Sequence, residues 1–370
     1  MKYSNLGIIT TKGSRIFSER VNEILSNWET EKDANFMIES DTPRFGSAEA
    51  KGIIKESIRD KDIYIFVDVC NYSITYKICG YINRMSPDDH FQDLKRLIAA
   101  CNGKPRRITV IMPFLYESRQ HRRTARESLD CAIMLQELKN MGVSDIITFD
   151  AHDPRVQNSI PLNSLENVRP VYQVMESLLK EVKDIKINDN NLMIVSPDEG
   201  ASERAIYLAN ILGVNIGMFY KRRDYTRIVD GRNPIIAHEF VGESVKGKDI
   251  IVIDDMISSG DSMIDVAKQL KEKGAKRIFI NATFGLFTNG LEKFDNAVKD
   301  GIIDKVLTTN LIYQIPELLE RDYYINVDMC EYTAAIISCL TQGQSISSLI
   351  SPESRIKELV NKYNENNGNI

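Results

Sequence analysis

The chain has 370 residues, 43% hydrophobic and 27% charged, the balance of a soluble globular protein with room for two domains. Its net charge of −5 argues against a general nucleic-acid binder, and no apolar run approaches the ~20 residues of a membrane-spanning helix. Six scattered cysteines without a C-x-x-C pair argue against a disulfide framework or zinc site and for reduced thiols in the cytoplasm, and the opening "MKYSNLGIITTKGSR" lacks the apolar core of a signal peptide. In chain order, strands are expected at 62–69, 107–112 and 145–150, with a helix at 127–142. A second series of strands follows at 191–196, 214–219, 249–254 and 277–284, with a helix at 261–274. Continuous Val/Ile runs alternating with helices indicate parallel sheets buried on both faces. The expectation is an α/β protein with two doubly wound domains. The polar stretch 164–170 is read as their link, 185–191 as a surface loop and 361–370 as a frayed tail.

In open parallel sheets ligands sit beyond the carboxyl ends of the strands. Four expected strand ends carry polar or charged groups: Asp150 and His152, Ser196 and Asp198, Lys221 to Arg223, and Asp254 to Ser262. The last, "VIDDMISSGDSM", places Ser258, Ser259, Gly260 and Ser262 between a strand and a helix. Hydroxyls and helix N-terminal N–H groups at such a junction suit a phosphate. "GESVKGKD" (242–249) imitates a P-loop, but Asp249 stands where Ser or Thr would hold a metal and the segment runs into a strand; it is read as a turn.

Beside these residues the chain resembles the ribose-phosphate diphosphokinases, or phosphoribosyl diphosphate synthetases. "VIDDMISSGDSM" is similar to their ribose 5-phosphate loop. "PFLYESRQHRR" (113–123), "FDAHD" (149–153), "IVSPDEGASERA" (194–205), "YKRRDY" (220–225), "TFGLFTNGLEKF" (283–294) and "QSISSLI" (344–350) match further segments in the family's order, and "FGSAE" (45–49) resembles its adenine loop. The sequence departs from the pattern at Ser47, His121, Ser258 and Asp261, where the family has Asp, Asp, Asp and Gly, and at Phe284 in place of a histidine. About fifteen extra residues fall near 72–86.

The resemblance implies two phosphoribosyltransferase-like domains, 1–166 on the ATP side and 167–350 on the ribose 5-phosphate side, with a tail at 351–370. It implies transfer of a diphosphoryl group from ATP to the 1-hydroxyl of ribose 5-phosphate, with AMP leaving, for nucleotide biosynthesis. Lys221 and Arg223, with Arg222 second, would stabilise charge at the transferring group. Arg119 and Gln120 would contact ATP, and Phe45, Ser47 and Glu49 would reach adenine from a neighbouring subunit, so a homo-oligomer, at least a dimer and up to a hexamer, is expected. Ser258, Ser259, Gly260, Asp261 and Ser262 would hold the 5-phosphate, with Asp254 and Asp255 on the ribose hydroxyls. The awkward Asp261 carboxylate would have to turn away from the phosphate. His152 and Asp198 would bind Mg2+. Two other readings remain: a non-catalytic homologue that regulates an active partner, and a phosphoribosyltransferase. Retention of both "YKRR" and the metal residues weighs against the first, and the paired domain against the second.

Overall fold

The computed structural model describes residues 3–31, 33–223 and 235–366, and for 221–223 and 235–238 the backbone alone. The chain divides into two units. The first holds residues up to Pro170 together with Asn310–Tyr313 and Asp328–Ile350; the second holds Val171–Thr309, Gln314–Val327 and the residues from Ser351 onward.

The first unit begins with β1 (Leu6–Thr10), α1 (Arg15–Trp28), the short β2 (Ser40–Asp41) and β3 (Ile53–Ile54), and β4 (Asp62–Phe66). The hairpin β5 (Thr75–Ile78) and β6 (Tyr81–Arg84) accounts for the extra residues near 72–86. Next come α2 (Pro87–Cys101), β7 (Arg107–Ile111), α3 (Asp130–Asn140), β8 (Asp145–Phe149) and β9 (Ser164–Val168). Ser86 opens α2 with a reciprocal cap: its hydroxyl accepts from Asp89 N at 3.2 Å and its N–H donates to Asp89 Oδ2 at 2.9 Å, with Pro87 at the first helical position. The parallel sheet runs β1-β4-β7-β8-β9. All five residues of β4 are buried, as a strand covered on both faces requires. The stretch read as a link, 164–170, is instead largely β9; the edge of a sheet tolerates its polar Ser164, Glu166 and Asn167.

The second unit contains α4 (Val171–Glu181), β10 (Leu192–Ser196), α5 (Ser202–Leu212), β11 (Asn215–Arg223), β12 (Ile235–Val241), β13 (Asp249–Ile257), α6 (Asp261–Glu272), β14 (Arg277–Gly285), α7 (Glu292–Lys299), β15 (Lys305–Thr309), α8 (Pro316–Leu319) and β16 (Tyr324–Val327). Its sheet order is β12-β11-β10-β13-β14-β15-β16, parallel except for β11 with β12. Each unit has its own apolar core, around Ile65, Leu94, Val110 and Leu135 in the first and Val195, Val252, Val266 and Ile280 in the second.

Then α9 (Cys330–Thr341) and α10 (Ser347–Ile350) return to the first unit, although 328–350 was expected in the second domain. Helix α9 packs on α1, and its end is held by Tyr3 Oη to Ser338 Oγ at 2.8 Å and Tyr64 Oη to Thr341 Oγ1 at 3.0 Å. The tail does not fray at 361: α11 (Glu353–Asn366) rests on α4 and α5 of the second unit. Its buried Tyr363 accepts from Ile185 N at 3.0 Å and donates to Val182 O at 2.9 Å.

Candidate functional site

The loop 254–262 grows from the carboxyl end of β13 in the middle of the seven-stranded sheet. Gly260 caps α6 in the left-handed region, with φ 84°. A Cβ there would lie 2.3 Å from Phe294 Cε2, so the position excludes any side chain. The turn is held from outside by Thr288 N donating to Ser258 O at 3.0 Å. Ser259 Oγ donates to Asp261 Oδ2 at 3.0 Å. Asp261 is the first residue of α6, and Lys293 of α7 pairs with its carboxylate. That lysine and the Ser259 hydroxyl hold the Asp261 carboxyl below its usual range. The acid is therefore met by a cation of its own, which moderates its repulsion of an anion at the helix N-terminus. Ser262 is exposed, while Ser258 and Ser259 are half-buried.

Asp254 and Asp255 sit one residue apart near the end of β13. Asp255 is buried, and its N–H donates to Asp254 Oδ1 at 2.8 Å. Burial first, and then the charge and hydrogen bond of Asp255, push the Asp254 carboxyl well above the usual range; the charge of Asp198 adds to the effect. Two adjacent carboxyls so placed disfavour carrying two full charges, and their oxygens can accept hydrogen bonds from adjacent hydroxyls. Arg204 of α5, 11% exposed, lies 4.0 Å from Asp255 and offsets part of this negative charge.

Asp198 follows β10, the neighbour of β13 in the sheet. Its Oδ1 accepts from Gly200 N at 3.0 Å, and Ser196 Oγ donates to its carbonyl at 2.6 Å, fixing the turn into α5. The triplet 221–223 was expected just past a strand ending at 219. It instead forms the last residues of β11, which runs on because β12 pairs with it, Lys221 opposite His238. The side chains of Lys221, Arg222 and Arg223 lie outside the described residues, as does Gly231.

In the first unit His152 follows β8 through Asp150, a buried residue at φ 42°. Its ring lies 5.4 Å from that of His121 between centroids. Arg119 is exposed. Gln120 donates from its side-chain amide to Ser128 O at 2.9 Å and so closes the loop leading to α3. Phe45, Ser47 and Glu49 belong to a tight turn in which Phe45 N donates to Glu49 O at 2.7 Å. Ser47 Oγ donates to Glu49 Oε2 at 2.9 Å, and Phe45 is 54% exposed. The turn is braced by Cys79 N donating to Gly46 O at 3.2 Å from the β5–β6 hairpin, and by Arg44 stacked 4.5 Å over Tyr76.

His152 and Asp198 belong to different units. Among the described residues no group of three or more His, Cys, Asp and Glu side chains is arranged to hold a metal ion.

Comparison with known proteins decides the kinship. Residues 6–142 match the sequence model of the N-terminal domain of ribose phosphate pyrophosphokinase, and 161–306 that of the phosphoribosyl transferase domain. A ribose-phosphate pyrophosphokinase of Mycoplasma genitalium is 30% identical over 300 residues, which cover 80% of this chain and 81% of that one. The chain belongs to the ribose-phosphate pyrophosphokinase family. The family protein of Vibrio cholerae is 27% identical over 314 residues, 83% of this chain and 90% of its own. The fold agrees: the crystal structure of phosphoribosylpyrophosphate synthetase from Mycobacterium smegmatis superposes with a TM-score of 0.74 at 20% identity, covering 92% of this chain and 100% of that one.

Two residues around the family's sugar loop escaped the sequence reading. Arg204 stood inside the quoted "SPDEGASERA", six residues beyond Asp198, without a role. Lys293 stood inside "GLEKF"; its partner Asp261 is 32 residues away, a separation that no local pattern bridges.

Proposed function

We propose that this chain transfers the diphosphoryl group of ATP to the 1-hydroxyl of ribose 5-phosphate, giving phosphoribosyl diphosphate and AMP for nucleotide biosynthesis. The observation that carries the reading is the loop 254–262: one strand-to-helix turn presents a carboxyl pair at one end and a glycine-capped helix N-terminus at the other. Ser258, Ser259, Gly260 and Ser262 receive the 5-phosphate, with Asp261 turned to Lys293. Asp254 and Asp255 hold the 2- and 3-hydroxyls.

The ribose O1 gives its proton to solvent and attacks the β-phosphorus. The bond from that phosphorus to the oxygen bridging to the α-phosphorus breaks, and AMP leaves with the electron pair. Such a transfer needs alignment and neutralisation of oxygen charge more than covalent help. Lys221 and Arg223 supply positive charge to the transferring group, with Arg222 beside them. Arg119 contacts the phosphates of ATP and Gln120 its nucleoside. The exposed turn of Phe45, Ser47 and Glu49 reaches the adenine site of a second copy, making the active form at least a dimer. His152 and Asp198 are the residues that would hold Mg2+, which would supply neutralisation of phosphate charge. Localisation in the cytoplasm fits the six free thiols, and no helix among the described residues is long and apolar enough to cross a membrane.

Incubation with ATP, magnesium and ribose 5-phosphate, followed by separation of the nucleotides, tests the reading. AMP formed only in the presence of the sugar supports it; ADP as the product, or no turnover, refutes it.

A further inference from the structure

We propose that His121 provides a second imidazole to the cation held at His152, so that this site binds first-row transition metals such as cobalt, manganese or zinc more tightly than His152 alone would, beside the magnesium of the proposed reaction. The proposal rests on the reading of His152 as a metal ligand and adds a residue to it.

The first observation is spacing. The two rings stand 5.4 Å apart between centroids, with planes inclined at 60°. An imidazole nitrogen binds such an ion at about 2.0–2.1 Å, which puts the ring centroid about 3.2 Å from the ion. Two rings sharing one ion at 5.4 Å then subtend about 115° at the metal, close to the tetrahedral angle. The ring separation found is compatible with one shared ion.

The second observation is the orientation of His121. Its Nε2 lies 3.3 Å from Asp153 Oδ2. Asp153 is itself fixed by Arg155, whose backbone N and Nε both donate to its Oδ1 at 2.9 Å. The guanidinium of Arg155 pairs with this carboxyl and favours its charged form. An anion beside Nε2 draws the ring proton there and leaves the lone pair on Nδ1. That Nδ1 is buried and has no hydrogen-bond partner. A buried acceptor without a donor is costly to keep, and it is the state in which a histidine ligand awaits a metal. A carboxylate on the far nitrogen is the usual support of such a ligand, fixing its tautomer and raising its basicity.

The third observation is chemical. His121 and His152 both offer ring nitrogens. Magnesium prefers oxygen, whereas two imidazole nitrogens suit metals that favour nitrogen. With two protein nitrogens, water and substrate oxygens would complete the shell.

The test is cobalt binding by the full-length protein without nucleotide. Co2+ affinity is measured by calorimetry and by the visible absorption of the ion, in wild type, His121→Asp and His152→Ala, each first checked for native melting. Anomalous scattering from Co2+-soaked wild-type crystals locates the ion and needs no variant. The expected result is at least a tenfold loss of Co2+ affinity in both variants, with the anomalous peak at bonding distance from both rings. If His152→Ala loses cobalt while His121→Asp keeps wild-type affinity, or the peak touches His152 alone, the second imidazole is overturned and the role of His152 stands. Wild-type affinity in both variants, or a peak away from both rings, overturns both.

Discussion

Gly260→Ala is the substitution for which the structure dictates most. Gly260 has φ 84°, and the new Cβ would lie 2.3 and 2.5 Å from Cε2 and Cζ of Phe294, a fully buried ring that also packs edge-on against Phe287. Two costs add. The left-handed backbone costs an L-residue about 1–2 kcal/mol. Forcing a methyl into a packed aromatic contact costs about 1–3 kcal/mol more. The expected loss is about 2–5 kcal/mol in urea unfolding. Gly213, with φ 66° and nothing within 4 Å of a Cβ, isolates the first cost, so Gly213→Ala should lose only about 1–2 kcal/mol. Phe294→Leu makes room at the ring, so the Gly260→Ala/Phe294→Leu double variant should be more stable than the sum of the singles by about 1 kcal/mol or more. Since the strained residue caps the proposed phosphate cradle, KM for ribose 5-phosphate should also rise in Gly260→Ala. Equal losses at the two glycines, with strict additivity toward Phe294, would refute the steric argument.

Lys221→Ala and Arg223→Ala should each lower kcat roughly 100-fold or more while ribose 5-phosphate still binds, because their charge acts on the transition state; near-normal kcat in both would remove them from the mechanism. Ser47 lacks the fixed acceptor of a carboxylate and already donates to Glu49, so GTP should be used within about tenfold of ATP in kcat/KM and Ser47→Asp should sharpen the preference for ATP. A strong ATP preference unchanged by the substitution would exclude Ser47 from the choice. Asp68 is buried and accepts from Cys70 N at 2.8 Å and Tyr313 N at 2.7 Å, yet burial outweighs these bonds and raises it to about 7. The folded state therefore binds a proton that an unfolded aspartate, near ~3.9, releases. This contribution is complete below pH ~4 and is lost as pH rises through about 7, roughly 2–3 kcal/mol of it between pH 5 and 8. Asp68→Asn should shrink the pH 5 to pH 8 difference in urea midpoint; an undiminished difference would place the titration elsewhere.

Seven strands, β4, β7, β8, β10, β11, β13 and β14, were legible because each is a short apolar run rich in Val or Ile, whereas β1, β12, β15 and β16 were not read. Strand β9 was missed because "SLENV" at a sheet edge buries only Leu165 and Val168. The return of α9 to the first unit depends on contacts such as Tyr3 with Ser338, 335 residues apart, which no local pattern encodes. Helix α11 did leave a trace, since Ile356 and Tyr363 are seven residues apart and both buried, but its Asn-rich surroundings masked them. At the site, the strand-to-helix turn of "VIDDMISSGDSM" was legible from its local pattern, and the phosphate cradle is the proposal it supports. The contacts of Arg204, Lys293 and the His121–His152 pair were not legible, because each depends on a partner from another element.

The central claim is that the β-phosphorus of ATP is attacked and two phosphates move together. Phosphorus NMR of a reaction containing ATP, magnesium and ribose 5-phosphate reads this directly. The account predicts a new pair of coupled diphosphate resonances on the ribose anomeric carbon, growing in step with the single resonance of AMP. Formation of ADP with a monophosphorylated sugar, or loss of ATP with no diphosphate attached to ribose, would contradict it.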